Sequence, residues 1–364
     1  MYLLRHALNR RFSSLRSTGH NIRPKNCHRR FKFAAFSAIS GSLGALTYLL
    51  YNQYSSLGNN ELSQGHFTSY RISNKHIIDE NHFLMELTPL IDQKINLWKL
   101  LGSEKMWSVQ VKQPQIMVVR NYTPLPLIFN KATGAIELLK DGQFAGGKLL
   151  FYLKSYEHGE VARWLQQMQE NEIVELRGPY IEYELPKLER ESKRSRDFLL
   201  TAIDEEIQEE KYKFQPFDIA MYTAGTGIVT ALQLMLTESP FRGTIDLFHS
   251  CKDFTELGPL MPLILKLERY KRLRLHLFES SHEPSRELRL TRMLKETSTP
   301  FPYQGSVVFR EMTYNNVRPV LALVCGPDSF ISSIASPKLS PYQGPVGGIL
   351  EKKGWTSDNL FKLS

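Results

Sequence analysis

Apolar and polar residues alternate in short runs between about residue 67 and residue 186. A period of two is typical of β-strands, and glycine, proline or polar breaks separate the runs. One segment, "GEVARWLQQMQEN", has helical spacing instead, with Val161, Leu165 and Met168 on one face. Strands with turns between them predict a small antiparallel β-barrel over 67–186. The predicted strands are "TSYRIS", "HFLMEL", "WSVQV", "QIMVVRNY", "LLFYLKSY" and "EIVELRGPY".

The pattern changes after Pro216, where apolar strands alternate with helical segments. "FDIAMYTA" leads into "GTGIVTALQLMLTES", "GTIDLFHS" precedes "LGPLMPLILKLERYK", and "PVLALVCGPDSFISSIA" repeats the order. Such alternation predicts a doubly wound parallel sheet over 216–364. The fold class expected for the body is therefore β followed by α/β. The intervening segment 187–215 is highly charged and predicts a solvated linker or surface insertion, with a docking site as the alternative.

The N-terminal region predicts a membrane-anchored protein. Residues 33–51 carry no charge and are long enough, as a helix, to cross a bilayer core of about 30 Å. We therefore expect an N-terminal transmembrane helix there, rather than a buried core helix, followed by a polar tether, 52–66. Residues 1–32 are rich in arginine and serine and lack acids, which is typical of a mitochondrial presequence; a generic basic tail is the alternative. The positive-inside rule then directs the body toward the intermembrane space.

Charge and cysteine content narrow the function further. The net charge is +9, but nine of the 46 basic residues lie in 1–32, which leaves 37 basic residues to balance 37 acidic ones. A body without a basic surplus is not expected to bind nucleic acid. The three cysteines, Cys27, Cys251 and Cys325, have neither metal-site nor disulfide-framework spacing, and no metal site is expected.

The stretch "VVRNYTPLPL", 118–127, is unusual for a strand. Pro124 and Pro126 prevent its ladder from continuing, directly after Arg120, Tyr122 and Thr123. These three side chains are therefore expected to serve something outside the sheet.

Two turns in the second half follow predicted parallel strands, at whose carboxyl ends ligands bind. One is Gly225-Thr226-Gly227, which opens a helix, and the other is Cys325-Gly326-Pro327. Glycine lets a backbone approach a ligand closely, and a helix N-terminus attracts phosphate. Each turn alone is a weak signal, since ordinary strand–helix turns use glycine too. The alternative for Cys325 is a small buried apolar residue.

The three motifs together are more specific. Gly225 follows Arg120 by 105 residues, and Cys325 follows Gly225 by 100. In this order they resemble the ferredoxin-reductase-type flavoproteins, in particular the cytochrome b5 reductase branch. The resemblance implies an FAD-binding β-barrel followed by an NAD(P)H-binding domain. It also implies that Arg120 binds the FAD pyrophosphate, that Tyr122 contacts the ribityl side and Thr123 the isoalloxazine edge, and that Pro124 holds the strand end rigid.

The resemblance extends to a phosphate-binding turn, which falls on 158–162. His158, Gly159 and Val161 stand there with two departures: Glu160 replaces a lysine, and Ala162 replaces a serine. An acid near phosphate weakens binding unless it points to water, and Lys154 could compensate in part.

In the second domain Ala224 replaces a glycine and Thr230 a proline, and Pro126 in the barrel stands where the family often has serine. The resemblance places Cys325 beside the nicotinamide. Lys252 and Asp253, near the expected ribose site, leave NADH versus NADPH open.

The function implied is transfer of a hydride from NAD(P)H to FAD and onward transfer of single electrons, with no side-chain acid or base. The N-terminal architecture and the C-terminal "GGILEKKGWTSDNLFKL" also resemble the fungal mitochondrial cytochrome c import factors, which work with haem lyase. We therefore expect an inner-membrane reductase that keeps haem iron reduced for attachment to apocytochrome c. The alternatives are a general mitochondrial cytochrome b5 reductase, acting on a haem protein, and an assembly factor that has lost its flavin.

Overall fold

A computed structural model describes most of the body. It covers residues 60–130, 132–157, 159–188, 190, 195–200, 211–237, 243–309, 317–339 and 342–363. These belong to one compact unit, Leu57–Ser364. The predicted presequence, the predicted span 33–51 and residues 52–59 of the predicted tether lie outside the described residues. None of the helices in the described part combines the length and the apolarity that a bilayer span requires.

The first half of the described chain builds an antiparallel sheet in the order β4-β3-β8-β1-β2-β7. All six predicted strands contribute to it, and the hairpin β5–β6 adds a pair that the sequence pattern did not reveal. Two short helices, α1 (Leu97–Leu101) and α2 (Glu160–Gln167), belong to this half. The strands are β1 (Thr68–Ile77), β2 (His82–Pro89), β3 (Lys105–Gln113), β4 (Val118–Tyr122), β5 (Leu127–Phe129), β6 (Ile136–Leu138), β7 (Leu149–Lys154) and β8 (Ile173–Glu184).

The sheet curls into a half-barrel because its two outer strands approach each other. Leu125, just beyond β4, forms an antiparallel bridge to Leu150 of β7, and its N–H donates to the Leu150 carbonyl at 2.8 Å. Pro124 and Pro126 have no backbone N–H group, so Leu125 between them supplies the N–H that pairs with β7. The break after β4 therefore turns the chain across the barrel end.

Both faces of β2 and β7 are buried, which conceals their alternation in the burial pattern. Phe83 and Phe151 belong to the cluster inside the barrel. Leu84 and Leu150 belong to a cluster shared with the second half of the chain. These two strands therefore form the wall against which the nucleotide-type domain packs.

The second half is a parallel sheet in the order β11-β10-β9-β12-β13, as predicted for a doubly wound domain. Its central strand β9 buries Met221 in the cluster facing the barrel and Tyr222 in the cluster on the opposite face. The strands are β9 (Ile219–Ala224), β10 (Ile245–Cys251), β11 (Leu273–Glu279), β12 (Leu321–Cys325) and β13 (Leu360–Lys362), and the helices are α3 (Ile228–Leu236), α4 (Met261–Arg269), α5 (Arg286–Glu296), α6 (Asp328–Ala335) and α7 (Gly348–Lys352).

Part of the predicted solvated segment 187–215 is packed against the body. Arg196 is 1% exposed, and its guanidinium donates to Asp141 Oδ1 at 2.7 Å, to the Leu139 carbonyl at 2.7 Å and to the Leu236 carbonyl. Leu199 is also buried. A charged run predicts solvation only on average, and here one arginine satisfies carbonyls at the ends of two other elements.

Candidate functional site

The end of β4 presents polar side chains at the outer edge of the half-barrel. Arg120 and Asn121 are exposed, while Tyr122 and Thr123 are half-buried. Arg120 bonds only a neighbouring carbonyl, that of Val119, at 3.0 Å, and makes no ion pair within the described residues. Burial raises the pKa of Tyr122, so its phenol stays protonated. This strand end therefore offers an uncommitted guanidinium and a hydrogen-bonding phenol.

The two glycine turns of the second half touch each other. A Cβ on Gly227 would lie 2.5 Å from the Cys325 carbonyl oxygen, and one on Gly326 would lie 3.0 Å from the Ala224 Cβ. Gly326 also has φ 156°, which side chains rarely adopt. Because β9 and β12 are neighbours in the sheet, turns 100 residues apart in sequence meet at its carboxyl edge.

The N-terminus of α2 opens onto the same region. Gly159 precedes the helix, and no side chain caps it. Glu160, in the first turn, is exposed, whereas Val161 and Ala162 are buried. Backbone N–H groups at an uncapped helix start form a site suited to anions. His158, part of the predicted turn, lies outside the described residues.

These elements enclose a cleft of about 690 Å³, a size suited to a cofactor. Residues of both the half-barrel and the parallel-sheet half line it. Its lining residues are Arg120, Asn121, Tyr122, Thr123, Tyr152, Leu153, Lys154, Tyr156, Gly159, Glu160, Val161, Ala162, Ala224, Thr226, Gly227, Val229, Thr230, Cys325, Gly326, Pro327 and Asp328.

Two of the predicted site residues do not line this cleft. The carbonyl of Pro124 accepts a bond from Gln233 Nε2 at 3.0 Å, so this residue joins the barrel to α3. Gly225 has φ 53°, and a Cβ on it would lie 3.4 Å from the hydroxyl of Tyr156. All the other predicted site residues line the cleft, which brings together motifs that are far apart in sequence.

Sequence reasoning missed the tyrosines of "FYLKSY". Tyr152 and Tyr156 both line the cleft, and burial raises the pKa of each. The Tyr156 hydroxyl lies beside the Thr226 side chain and 3.4 Å from where a Cβ on Gly225 would be, so the barrel contacts the first glycine turn here. The segment "FYLKSY" was predicted as a strand, but only the packing of the two halves shows that its tyrosines contact the second domain.

A buried polar cluster adjoins the cleft. Lys154 and His82 each approach Glu256 Oε2 at 3.7 Å, and Glu256 is only 7% exposed. Tyr152 donates its hydroxyl proton to the Glu256 carbonyl at 3.0 Å and stacks on His82. Asp79 binds the other side of the His82 ring, at 2.8 Å. Lys154 is thus oriented by an acid from the second domain.

The cysteine in the cleft is not poised as a nucleophile. Burial raises the pKa of Cys325 to about 11, so it stays a neutral thiol near neutral pH. Burial likewise raises the pKa of Cys251 to about 12.

The segment after β10 carries charges of both signs. Asp253 caps the turn that follows it, accepting from the Thr255 N–H at 2.9 Å, and lies beside Glu279 and His282. Lys252 is exposed in the same segment. These contacts leave the choice between NADH and NADPH open.

The residues of the cleft fit FAD and a pyridine nucleotide. A free guanidinium and an uncapped helix start suit a pyrophosphate, while tyrosines and small apolar residues suit flat rings. The glycine turns leave room beside them that a Cβ would fill. Among the described residues that line the cleft, Glu160 carries a negative charge in the first turn of α2, which opposes an anion at that helix start.

Comparison with known proteins places a curated relative above 50% identity. No protein-family profile matches the chain. It is 51% identical over 346 residues to the cytochrome c mitochondrial import factor CYC2 of Saccharomyces cerevisiae, covering 92% of this chain and 94% of that protein. It is 22% identical over 254 residues to NADH-cytochrome b5 reductase 2 of Meyerozyma guilliermondii, with 68% of each chain covered. A Schizosaccharomyces pombe protein described as an uncharacterized FAD-binding protein is 25% identical over 258 residues, covering 71% of this chain and 70% of that one.

Solved structures give weaker matches. The cytochrome b5 reductase domain of Ulva prolifera nitrate reductase has a TM-score of 0.46 and 15% identity, covering 83% of this chain and 99% of that one. Phthalate dioxygenase reductase has a TM-score of 0.46 and 13% identity, covering 82% and 68%. The fold assignment rests on the strand orders given above. The identity and coverage of the Saccharomyces relative establish the family: the chain belongs to the family of the cytochrome c mitochondrial import factor CYC2.

Proposed function

We propose that the chain is an NAD(P)H-dependent FAD oxidoreductase of the mitochondrial inner membrane that supplies electrons to haem iron. Its body would face the intermembrane space and support haem attachment to apocytochrome c, together with cytochrome c haem lyase. The observation that carries this proposal is the single cleft where the end of β4, the start of α2 and the two glycine turns converge.

Each part of the cleft has a binding role in this proposal. Arg120 would form charge-assisted bonds to the FAD pyrophosphate, together with the N–H groups at the start of α2. Tyr122 and Thr123 would orient the ring system. The turns at Gly227 and Gly326 would bring the nicotinamide ring against it. FAD, when bound, accepts a hydride from the nicotinamide and releases electrons singly.

The mitochondrial assignment has two supports. The Saccharomyces relative is named as a mitochondrial import factor for cytochrome c. The sequence itself has an arginine-rich start without acids and an uncharged stretch at 33–51. Fractionation of mitochondria tests whether the chain is in the inner membrane. Protease protection of the body, before and after rupture of the outer membrane, tests which side of the inner membrane it faces.

A second candidate is a reductase for a haem protein such as cytochrome b5. The relatives named NADH-cytochrome b5 reductase 2, at 21–25% identity, favour it. Rates of NADH-dependent reduction of free haem and of cytochrome b5 by the purified chain separate the two candidates. A clear preference for cytochrome b5 would contradict the primary proposal.

The third candidate, an assembly factor without flavin, is motivated by Glu160 at the start of α2. The purified full chain should be yellow and should bleach anaerobically with NADH or NADPH. A colourless protein that takes up no added FAD would contradict the proposed redox function.

Replacement of Arg120 tests the flavin site directly. Arg120→Ala should lower FAD affinity by roughly tenfold to a hundredfold, since hydrogen bonds to charged groups contribute about 1.5–3 kcal/mol. FAD occupancy is measured by absorbance after gel filtration. Arg71→Ala is the matched control, because Arg71 is also an exposed strand arginine but does not line the cleft. Equal occupancy in the two variants would sink the assignment of Arg120.

Replacement of Glu160 tests the departure at the helix start. Glu160→Gln removes a negative charge from the first turn of α2 and should strengthen FAD binding, by a few-fold at low salt. Glu157→Gln is the control, because Glu157 is exposed nearby and does not line the cleft. If Glu160→Gln weakens FAD binding instead, the Glu160 carboxylate contributes to FAD binding, which would contradict the expected repulsion.

A further inference from the structure

Five large apolar side chains are exposed together at one end of the half-barrel. They occupy the β2–β3 loop with α1, and the loop before β7. These loops are joined, because Asn96 Nδ2 donates to the Gln143 carbonyl at 3.1 Å and the Gln93 N–H to the Gly146 carbonyl at 3.3 Å. We call this surface the apolar face; its residues are Leu90 (53% exposed), Ile91 (55%), Ile95 (47%), Leu100 (64%) and Phe144 (44%).

The fold does not require these side chains to be apolar. Within the same segment Trp98 points inward and packs on Trp107, at 4.9 Å between ring centroids. Leu100, two residues later, points to solvent. A cluster of this kind on a globular protein usually marks a surface that another body covers.

The chain enters the described body at the edge of this face. Gln93 Nε2 donates to the Asn60 carbonyl at 2.8 Å, and the Leu62 N–H donates to Gln93 Oε1 at 2.6 Å. The Lys94 N–H donates to Glu61 Oε1 at 2.7 Å. Ile95 and Phe144 line one shallow cavity together with Glu61. The start of the described chain is therefore hydrogen-bonded beside the apolar face.

The length of chain before Asn60 limits how far this face can lie from the predicted span. The predicted span ends at residue 51, so eight residues, 52–59, separate it from Asn60. Such a chain reaches at most about 28 Å when fully extended. An anchored span would therefore hold the apolar face close to the bilayer surface.

The named charges at the face balance. Lys94 and Lys99 are exposed beside Ile95 and Leu100, and neither makes an ion pair in the part of the chain that the structure describes. Asp92, also exposed, and Glu61 offset the two lysines. The surface is thus mainly apolar with a rim of mixed charge, and no net negative charge there opposes contact with an anionic bilayer surface.

The orientation keeps the cleft accessible. β7 starts at Leu149, which lines the cavity at the apolar face, and ends at Lys154, which lines the cleft. The two lie five residue steps apart along the strand, or roughly 17 Å. A body resting on its apolar face would therefore present its cleft to the aqueous phase.

We propose that the apolar face rests on the bilayer, with Ile95, Leu100 and Phe144 in the headgroup region. This inference rests on the proposed membrane anchoring. It adds that the body is held against the membrane in one orientation.

The test measures lipid contact at single positions in the full chain. With Cys27 replaced by serine, Ile95→Cys is labelled with an environment-sensitive fluorophore and reconstituted into phosphatidylcholine–cardiolipin vesicles. Lipids that carry a quencher at the headgroup–acyl boundary should quench this label severalfold. The control, Leu288→Cys, labels an apolar residue on α5 that is 59% exposed, and it should stay unquenched. Leu100→Cys serves as a second position if Ile95→Cys does not fold.

The outcomes separate this inference from the proposed function. Retention of the chain in membranes after alkaline carbonate treatment, with no quenching at positions 95 and 100, would overturn the docked orientation and leave anchoring intact. Release of the chain from membranes by carbonate, with quenching at those two positions, would overturn the transmembrane anchoring and support contact of the apolar face with lipid. Labels that are shielded only in mitochondrial membranes, and not in the pure vesicles, would assign the face to a protein partner and overturn the lipid assignment.

Discussion

At the scale of single residues, glycine is required in the cleft for two different reasons. Gly326 has a backbone conformation that side chains rarely adopt, whereas Gly227 has an ordinary helical φ of −57°. Gly227 is constrained instead by the Cys325 carbonyl oxygen, which a Cβ would approach to 2.5 Å. From the sequence, these glycines were expected to let the backbone approach a ligand closely. The structure shows that they also let the two turns pack closely against each other.

Gly227→Ala should therefore destabilise the protein. Relief of the contact requires the two turns to separate, and overpacking of this kind costs about 1–3 kcal/mol. Urea unfolding measures the loss, and FAD retention should fall with it. Gly65→Ala is the control, since its Cβ would meet only Ser63 Oγ, at 3.9 Å. Identical midpoints for the two variants would show that the turns separate freely.

At the scale of elements, α3 joins the two halves. Gln233 is 1% exposed, accepts from the Trp107 N–H at 2.9 Å, and donates to the carbonyls of Trp107 at 2.9 Å and Pro124 at 3.0 Å. The helical pattern of "GIVTALQLMLTES" predicted the helix, and the strand pattern predicted β3. Neither pattern indicates that one amide side chain binds the backbone of a strand 126 residues away.

Gln233→Leu should lower the free energy of unfolding by more than the loss of one ordinary buried hydrogen bond would. It leaves backbone groups of β3 unpaired in the interior, at about 1–3 kcal/mol for each group, and should lower the denaturant midpoint. Thr237→Val is the control, because the hydroxyl of Thr237, the residue after α3, donates to the Gln233 carbonyl of the same helix at 2.6 Å and so does not join the halves. We expect Gln233→Leu also to increase protease cleavage between the halves. A cost no larger than that of the control would contradict a joining role for Gln233.

At the scale of the whole molecule, two histidines of the parallel sheet, the buried His249 and the half-buried His276, respond to pH in opposite directions. Burial lowers the pKa of His249 from 6.5 to about 4. For His276, burial acts to lower the pKa, but hydrogen bonds to Asp246 and Glu296 outweigh it and raise the pKa above 6.5. The unfolded chain has ordinary values for both. The folded state therefore resists protonation of His249 and favours protonation of His276.

The stability of the protein should change with pH accordingly. Between pH 6.5 and about 4 only the unfolded state protonates at His249, so stability falls as pH falls, and His249→Gln should reduce that loss. His276 contributes stability that is present below pH 6.5 and is lost as pH rises through its raised pKa, so His276→Gln should destabilise mainly at acidic pH.

Urea midpoints across this pH range measure both effects. His282→Gln, at a side chain that is 72% exposed, is the control and should leave the profile unchanged. If the urea midpoints of all three variants change with pH in the same way, the opposite pH effects expected for His249 and His276 are wrong.

Local patterns predicted much of this protein. Alternation and turn residues predicted the six strands of the antiparallel sheet, and the later alternation of strands and helices predicted the parallel sheet. The resemblance carried by the motifs at Arg120, Gly225 and Cys325 indicated where a cleft would form. These inferences succeed because strand and helix periods, and the conformations of glycine and proline, act over a few neighbouring residues.

Tertiary structure decided how the halves meet. Burial of both faces of β2 and β7, the contact of Tyr156 with Thr226, and the insertion of Glu256 between Lys154 and His82 all join residues distant in sequence. Arg196 is buried for the same reason, inside a segment whose charge predicted solvation. Such contacts depend on which surfaces two folded elements present to each other, and that geometry exists only once both elements have formed and packed.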